Sequence, residues 1–564
     1  MARSEPDWRF IDVDERAVER LVGTLDCNPA VARILVAREL DEPDAAVAAY
    51  GPTLECCHDP GALPDVDPAV ELLARAIDHG ETITIYGDRD VDGIAGTALL
   101  LTLLKDLGAT VGYHVPGKYD GHGLHEESID RLADRDTDLL VTVDCGTDDR
   151  NVIAQAARRG MDVIVTDHHP PTGDLEVPFV NPVRSSAAYP NDALAAAGIA
   201  LKLGEALLAA RSADPDPFAA YAYPLAGVAT VADNVTMTLE NRAIVHAGYD
   251  RLRECPVPGL RKLTEQRDLA SIRDLGWRLA PILNAAREAT DGHLMIGTLF
   301  EEDPERIAAR LEELRALRQE RQDRRREWAA TLKRLVAEQA DPERDPILTV
   351  EADGYVGSGP LLDLSERTRR PVLCHYRRHD GTYRGMLVSA GEVDVRALVD
   401  AHAQRLLDRW GHAGAAGFIV DGVRIDGVVT GITTLFERRY DPADLAQRID
   451  IDCVLELRDL AAVLAELEPL RPFGRGHPEP TVLVEAVEVA GIDRFGRDDR
   501  HVRLNLEEDA ASLTDWNGTV LGGEQPPART LDVAGSLGWD AVAERPQVSI
   551  EAVRAAKGVI AERS

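Results

Sequence analysis

The chain reads as an α/β protein in which a parallel-sheet domain is joined by one long helix to a smaller α/β domain, with a small β-domain at the carboxyl end. Three observations predict this. Between Asp67 and His169, short apolar runs rich in β-formers (ETITIYG, TDLLVTVDCG, MDVIVTDHH) alternate with helical segments (PAVELLARAIDHG, IAGTALLLTLLKDLG, NVIAQAARRG). That alternation implies βαβ units and a sheet covered on both faces. From Pro304 to about Ala340, leucine or alanine at helical spacing within dense mixed charge predicts a single helix. Beyond Pro478, TVLVEAVEVAGI, HVRLNLEE and TLDVAGSL read as strands.

At 564 residues the chain is too long for one hydrophobic core. The pattern divides it into a helical cap (1–75, with amphipathic runs such as AVERLVGTL), the parallel-sheet domain (76–302) and the connecting helix (303–344). The second α/β domain (345–478) opens at ILTVEADGYVGSG and carries GHAGAAGFIV, and the β-domain takes 479–564. The Arg-rich centre of the helix, RQERQDRRRE, reads as a solvated face with i,i+4 pairs rather than as a nucleic-acid contact. No apolar run reaches the ~18 residues of a membrane span and no apolar signal core opens the chain, which predicts a cytoplasmic protein without a membrane partner. Seven scattered cysteines without a CxxC pair indicate neither a disulfide framework nor a zinc knuckle, and the neighbours Cys56 and Cys57 read as idle thiols.

A net charge of −35 ordinarily opposes a polyanionic partner. Here the acidity is spread along the whole chain, and six lysines accompany a large excess of arginine. The pattern predicts a halophilic protein, solvated in salt where the Debye length falls to ~3 Å at about 1 M. Nucleic-acid binding must then rest on short-range contacts from metals, arginine forks and backbone amides.

Four polar clusters end apolar runs: Asp88, Asp90 and Asp92 in YGDRDVDG, Asp144 in VDCG, Asp167, His168 and His169 in TDHHP, and Asp233 in TVADN. Taken singly, each Asp reads as a turn or cap residue. Together at strand ends, carboxylates raise one another's pKa, and divalent cations remove that conflict. Carboxylates with one or two imidazoles suit Mg²⁺ or Mn²⁺, the nitrogen favouring Mn²⁺. A carboxylate bridging two ions would hold them roughly 3.5–4 Å apart, as phosphoryl displacement requires.

YGDRDVDGIAGTALL, LLVTVDCGT, VIVTDHHPP and TVADNVTMTLENR resemble the four successive core motifs of the DHH phosphoesterases, and their order and spacing resemble the RecJ nucleases in particular. GWRLAPILNAAR, GHAGAAGF (similar to the glycine-rich element of the accessory DHHA1 domain) and LEPLRPFGRGHPEP extend the likeness over nearly the full chain. The resemblance implies a DHH domain, a DHHA1 domain and a C-terminal oligonucleotide-binding (OB-like) β-domain. It further implies a two-metal exonuclease that degrades single-stranded DNA, 5′ to 3′, to 5′-mononucleotides in repair, recombination or replication. By this resemblance Asp90, Asp92, Asp144, His168 and Asp233 would hold two Mn²⁺ or Mg²⁺ ions, with Asp92 and Asp144 on the tighter one and Asp144 as the bridge. Asp88 and His169 would complete the shell or position water and phosphate. Arg287 would grip a phosphate by its fork, and His412 with Gly411 and Gly414 would bring donors to the phosphate.

The sequence departs from the family at several points. Tyr86 stands where many relatives have His, NAAR replaces NAAGR before Arg287, Trp410 replaces the first glycine of the DHHA1 signature, and YRGMLVSAG lacks a Ser-x-Arg-Ser pattern. Two other readings stay open: a phosphodiesterase for short oligonucleotides, cyclic dinucleotides, polyphosphate or RNA, and a replisome scaffold of RecJ descent working with replication or repair proteins. The retained metal-ligand candidates oppose the scaffold, and the cap and β-domain favour a longer strand.

Overall fold

The computed structural model describes residues 7–556 apart from 267–268, 392, 442–447, 497–498, 507–509, 523–524 and 541. The last two residues of the expected strand HVRLNLEE therefore lie outside the described residues. The chain packs as two compact units: one holds Val13–Gln319 with Ala462–Glu479, the other the described parts of Met1–Asp12, Glu320–Ala461 and Pro480–Ser564. This differs from the sequential division expected above at both ends. The first residues of the expected helical cap form a strand, β1 (Asp7–Phe10), which pairs in parallel with residues 448–451 of the second unit. The segment LEPLRPFGRGHPEP belongs mainly to the first unit because its polar groups are satisfied there: Met237 N–H donates to the Arg475 carbonyl at 2.8 Å, and His246 Nε2 lies 2.6 Å from the Arg471 carbonyl.

In the first unit, β2 (Thr82–Gly87), β3 (Thr110–His114), β4 (Leu139–Val143), β5 (Asp162–Thr166) and β6 (Phe179–Val180) form a parallel sheet in the order β3-β2-β4-β5-β6. Strand β4 is buried along its whole length and reads as a continuous apolar run, as a strand covered on both faces must. The helix Val91–Asp106 is apolar nearly all round because it packs against the sheet and against the helices Ala196–Ala210 and Asp216–Ala232. Glycine sets how closely it approaches: a Cβ on Gly96 would lie 2.7 Å from Val143 Cγ1 and 3.2 Å from the Ala197 Cα. Each large side chain such as Leu99, Leu100 or Ile94 buried here contributes roughly 1.5–3 kcal/mol.

In the second unit, β7 (Leu348–Ala352), β8 (Val372–Arg377), β9 (Thr382–Val388), β10 (Leu406–His412) and β11 (Ala415–Asp421) form a mixed sheet in the order β10-β11-β9-β8-β7, parallel only between β7 and β8. One face packs on the helices Val395–Asp400 and Ile425–Arg439, the other on Ser358–Thr368 and on Leu332, Leu335 and Val336 of the long helix Pro304–Gln339. The arginine-rich face of that helix is exposed and ion-paired, as in Arg325–Asp363 (2.9 Å) and Arg326–Asp323 (2.7 Å). After β12 (Arg448–Ile451) and β13 (Cys453–Leu455), the strands β14 (Thr481–Phe495), β15 (His501–Leu506), β16 (Ser512–Asp515), β17 (Thr530–Asp540) and β18 (Arg545–Ala555) follow. They close in the order β14-β15-β16-β18-β17 and back to β14, a five-stranded barrel without free edges.

Candidate metal centre

Register brings the acids together. Gly87 of β2 pairs with Val143 of β4, Val143 with Thr166 of β5, and Thr166 with Val180 of β6. The ladder then continues one residue further: Asp88 N–H donates to the Val143 carbonyl (3.1 Å), Asp144 N–H to Thr166 (3.1 Å) and Asp167 N–H to Val180 (3.2 Å). Three aspartates thus leave the sheet side by side at the carboxyl ends of their strands, where open parallel sheets bind ligands. Asp144 adopts φ +64°, a left-handed conformation that is uncommon outside glycine and is held at a cost by its surroundings.

The DRDVDG turn is fixed from two sides. Asp90 caps the helix Val91–Asp106, its Oδ1 accepting from Asp92 N–H (3.1 Å) and Gly93 N–H (3.2 Å). Asp92 lies within the first turn of that helix and is buried, and its oxygens accept from Ala196 N–H (2.6 Å) and Ala197 N–H (2.8 Å) at the amino end of the helix Ala196–Ala210. That helix end favours negative charge.

His168 and Asp233 complete the cluster. His168 Nε2 stands 3.2 Å from Asp144 Oδ1, 3.7 Å from Asp233 Oδ2 and 3.9 Å from Asp92 Oδ2. Asp233 terminates the helix Asp216–Ala232, and its N–H bonds the Ala229 carbonyl. Burial, then the neighbouring Asp233 and Asp90, push the Asp92 carboxyl well above the usual range, and burial with Asp90 and Asp92 does the same to Asp144. Burial and Asp90 raise Asp233 to about 6, while burial and His169 lower His168 to about 4. The protein alone therefore strains to keep these carboxylates charged, and it presents a neutral imidazole beside them.

Divalent cations fit this donor set. Asp88/Asp90/Asp144, Asp92/His168/Asp233 and Asp144/His168/His169 each offer three ligand atoms within 4.8 Å of one another among the described residues. The sets overlap at Asp144 and His168. Asp144 Oδ1 is buried without an aligned hydrogen-bond donor, so a coordination position faces the cluster. Oxygen donors with one or two nitrogens suit Mg²⁺ or Mn²⁺.

Residues 82–227 match the family described as "DHH family, N-terminal domain", and 451–553 match "RecJ OB domain". The single-stranded-DNA-specific exonuclease RecJ of Dickeya dadantii is 32% identical over 446 residues, spanning 74% of this chain and 77% of that protein. The chain belongs to the RecJ family. The RecJ of Bacillus subtilis is 27% identical over 98% of this chain and 71% of its own length. The crystal structure of RecJ from Thermus thermophilus in complex with Mn²⁺ superposes with a TM-score of 0.79 at 25% identity, covering 97% of this chain and 79% of that one. The corresponding Mg²⁺ complex gives 0.74. The OB match begins at Ile451, before the boundary expected at 479.

Within this RecJ-family chain, Asp88, Asp90, Asp92, Asp144, His168, His169 and Asp233 all meet in one cluster. Arg287 stands at its margin, half exposed, with its guanidinium 3.8 Å from Asp90 Oδ2. Gly411, His412 and Gly414 lie in the second unit: Gly411 (φ +107°) and His412 end β10, both are exposed, and Gly414 N–H donates to His412 Nδ1 at 3.2 Å. Tyr86 is fully buried, and its hydroxyl donates to the Gly123 carbonyl (3.3 Å).

Two residues near this cluster, His122 and Asn241, escaped sequence reasoning, whereas Asp167 was named with the third cluster and takes a supporting place. His122, between Gly121 and Gly123, places Nδ1 3.4 Å from Asp88 Oδ1 and its ring 5.0 Å from His169. Asp167 turns away from the ligand sets to hold the turn: its Oδ1 accepts from His168 N–H (2.7 Å) and faces His169 Nδ1 (2.7 Å), and its Oδ2 accepts from Thr147 N–H (3.1 Å). Burial pushes the Asp167 carboxyl up, but the His169 bond and charge outweigh it and bring it down to about 2, and in return His169 rises to about 9. Buried Asn241 donates to the carbonyls of Ala193 (2.6 Å) and Thr236 (2.8 Å), tying the loop before the Asp92-binding helix end to the loop after Asp233. The glycines around His122 and the ENR triplet after TVADN were the available signals.

Proposed function

We propose that this chain hydrolyses single-stranded DNA from its 5′ end to 5′-mononucleotides, using two divalent cations held by Asp90, Asp92, Asp144, His168 and Asp233, with Asp88 and His169 beside them. The observation that carries the reading is the in-register exit of Asp88, Asp144 and Asp167 from adjacent parallel strands, with His168 and Asp233 closing on Asp144 and Asp92. When bound, the two cations supply an activated water and charge stabilisation for the departing oxygen.

The chain's own groups do the rest. Asp144 belongs to two ligand sets and would be the carboxylate shared between the two cations. His169, oriented by the 2.7 Å contact of its Nδ1 with Asp167 Oδ1, would turn its other ring nitrogen to the phosphate, and Arg287 would grip the phosphate by its fork. The bond broken joins phosphorus to the 3′-oxygen of the terminal nucleotide, and the shortened strand keeps a 5′-phosphate. The RecJ names of the relatives and the OB match support a single strand longer than a dinucleotide. The acidic, lysine-poor composition supports a halophilic setting, and we place the protein in the cytoplasm with DNA repair, recombination or replication as its context.

One digestion tests the reading. A single-stranded oligonucleotide labelled at its 5′ or its 3′ end is incubated in molar KCl with Mn²⁺. Early release of labelled mononucleotide from the 5′-labelled strand alone is expected, early release from the 3′ label would reverse the polarity, and no release from either would remove the activity.

A further inference from the structure

The second unit carries a surface that the metal chemistry does not use. On the face of the mixed sheet that packs on the long helix, Leu348, Val350, Val372, Cys374 and Val388 are buried, whereas Tyr376, Arg384 and Trp410 on the same face are only partly covered. Trp328 meets Tyr355 edge to face (5.4 Å between centroids), and Tyr355 meets Tyr376 (6.3 Å). The Arg384 guanidinium lies 5.6 Å from the Tyr355 ring centre and 4.7 Å from that of Trp410. Trp410 lies across Gly417, where any Cβ would overlap its indole, so the strand beneath is bare by necessity. Tyr355 is 47% exposed, and Tyr376, Arg384 and Trp410 are each partly exposed.

Arg384 is held by rings rather than by an acid, whereas Arg325–Asp363, Arg378–Asp380, Arg396–Asp400 and Arg409–Asp400 in this unit are ion pairs. Among the described residues no carboxylate lies within ion-pair distance of Arg384, in a chain whose net charge is −35. Register adds a third element. Trp410 pairs with Gly417 and His412 with Ala415, two residues further on the same face, so the exposed imidazole and the glycine turn at Gly411–Gly414 adjoin the indole.

We infer that Trp410, Arg384 and Tyr355 form a shelf on which a base of single-stranded nucleic acid stacks, beside the turn around His412 where the family resemblance already places phosphate donors. The inference deepens the proposed function and rests on it. A nucleotide strand is the occupant that fits both halves of the surface: flat rings stack on indole and guanidinium, and an anionic backbone matches an unpaired arginine, an imidazole and backbone amides brought close by glycine. It also accounts for Trp410, which stands where the resembling families carry a small residue. What is lost there in backbone approach is replaced by stacking, which tolerates any base sequence.

The test uses the full chain in EDTA, so that nothing is cut, and two probes of equal length: an oligothymidylate and the same backbone with abasic sites. Trp410→Ala should weaken oligothymidylate binding about 5- to 150-fold, the range for one lost stack, with abasic binding unchanged. Trp410→Phe should restore most of the loss. On the unaltered protein, a strand substituted with 5-iodouracil should photocross-link to the peptide that contains Trp410. Equal loss on both probes, no loss on either, or cross-links confined to other peptides would overturn the shelf while leaving the nuclease reading intact. Failure of the unaltered chain to bind either probe would overturn both.

Discussion

The chemistry at the scale of single residues is a conflict between carboxylates that the fold tightens rather than relieves. Asp92, Asp144 and Asp233 all have raised pKa values, Asp233 reaching about 6 against an ordinary 3.8. Without a cation, the folded chain keeps a proton on Asp233 that the unfolded chain releases. This contribution to stability is full below 3.8 and is lost as pH rises through about 6. Cations compete with those protons, so the rise in melting temperature on adding Mn²⁺ should be small near pH 5 and larger near about pH 7.5. Equal rises at both pH values, measured by differential scanning fluorimetry, would contradict the assignment of these carboxyls as ligands. The acids were legible in the sequence because each ends an apolar run. His122 and Asn241 were not, since a lone imidazole or amide in a loop carries no periodicity, and only the three-dimensional approach of distant loops gives it a role.

At the scale of elements, the site depends on how sharply β2 hands over to the helix Val91–Asp106. A Cβ on Gly93 would lie 2.6 Å from the Asp88 carbonyl oxygen and 2.7 Å from its nitrogen, and both are backbone atoms that cannot rotate away. Alanine ordinarily favours a helix over glycine by ~1 kcal/mol, but overpacking of this kind costs ~1–3 kcal/mol. Gly93→Ala is therefore expected to destabilise by up to about 2 kcal/mol and to weaken Mn²⁺ binding by moving Asp88 and Asp90. A denaturation midpoint equal to or above that of the parent protein would show that the turn has slack. The central strands were readable as apolar runs. The edge strand Thr110–His114, with its mostly exposed face, the two-residue Phe179–Val180 and the short Ser512–Asp515 were not, because each is too brief or too polar to show a period. The strand Asp7–Phe10 escaped for another reason, since its partner lies at residues 448–451.

At the scale of the whole molecule, the fold class and the nature of the carboxyl-terminal β-domain were legible. The division into units was not, because segments such as 462–479 and 7–12 pack with residues far along the chain. In the barrel, Phe495, His501 and Trp516 form a ring cluster (5.0–6.0 Å between centroids), with Arg503 over Phe495 at 4.8 Å. Trp539 is half exposed beside Pro546 and has no ring partner among the described residues. Trp516→Ala should cut affinity for a long single strand about 5- to 150-fold while cleavage of a very short oligonucleotide persists; unchanged affinity in a binding isotherm would make the barrel a structural cover. The net charge of −35 predicts a chain that is folded in molar KCl and loses structure in dilute buffer, where self-repulsion is unscreened. A melting temperature that holds or rises as KCl is removed would defeat that expectation.

The central claim is that the register of the parallel sheet builds a two-cation centre bridged by Asp144, and Mn²⁺ titration by calorimetry, comparing the parent chain with Asp144→Ala, tests it most directly. Two sites per chain are expected in the parent. In the folded variant at most one should remain, with hydrolysis reduced by more than the ~100-fold that loss of an outer-shell partner typically costs. Two intact sites, or substantial hydrolysis, in a folded Asp144→Ala protein would contradict it.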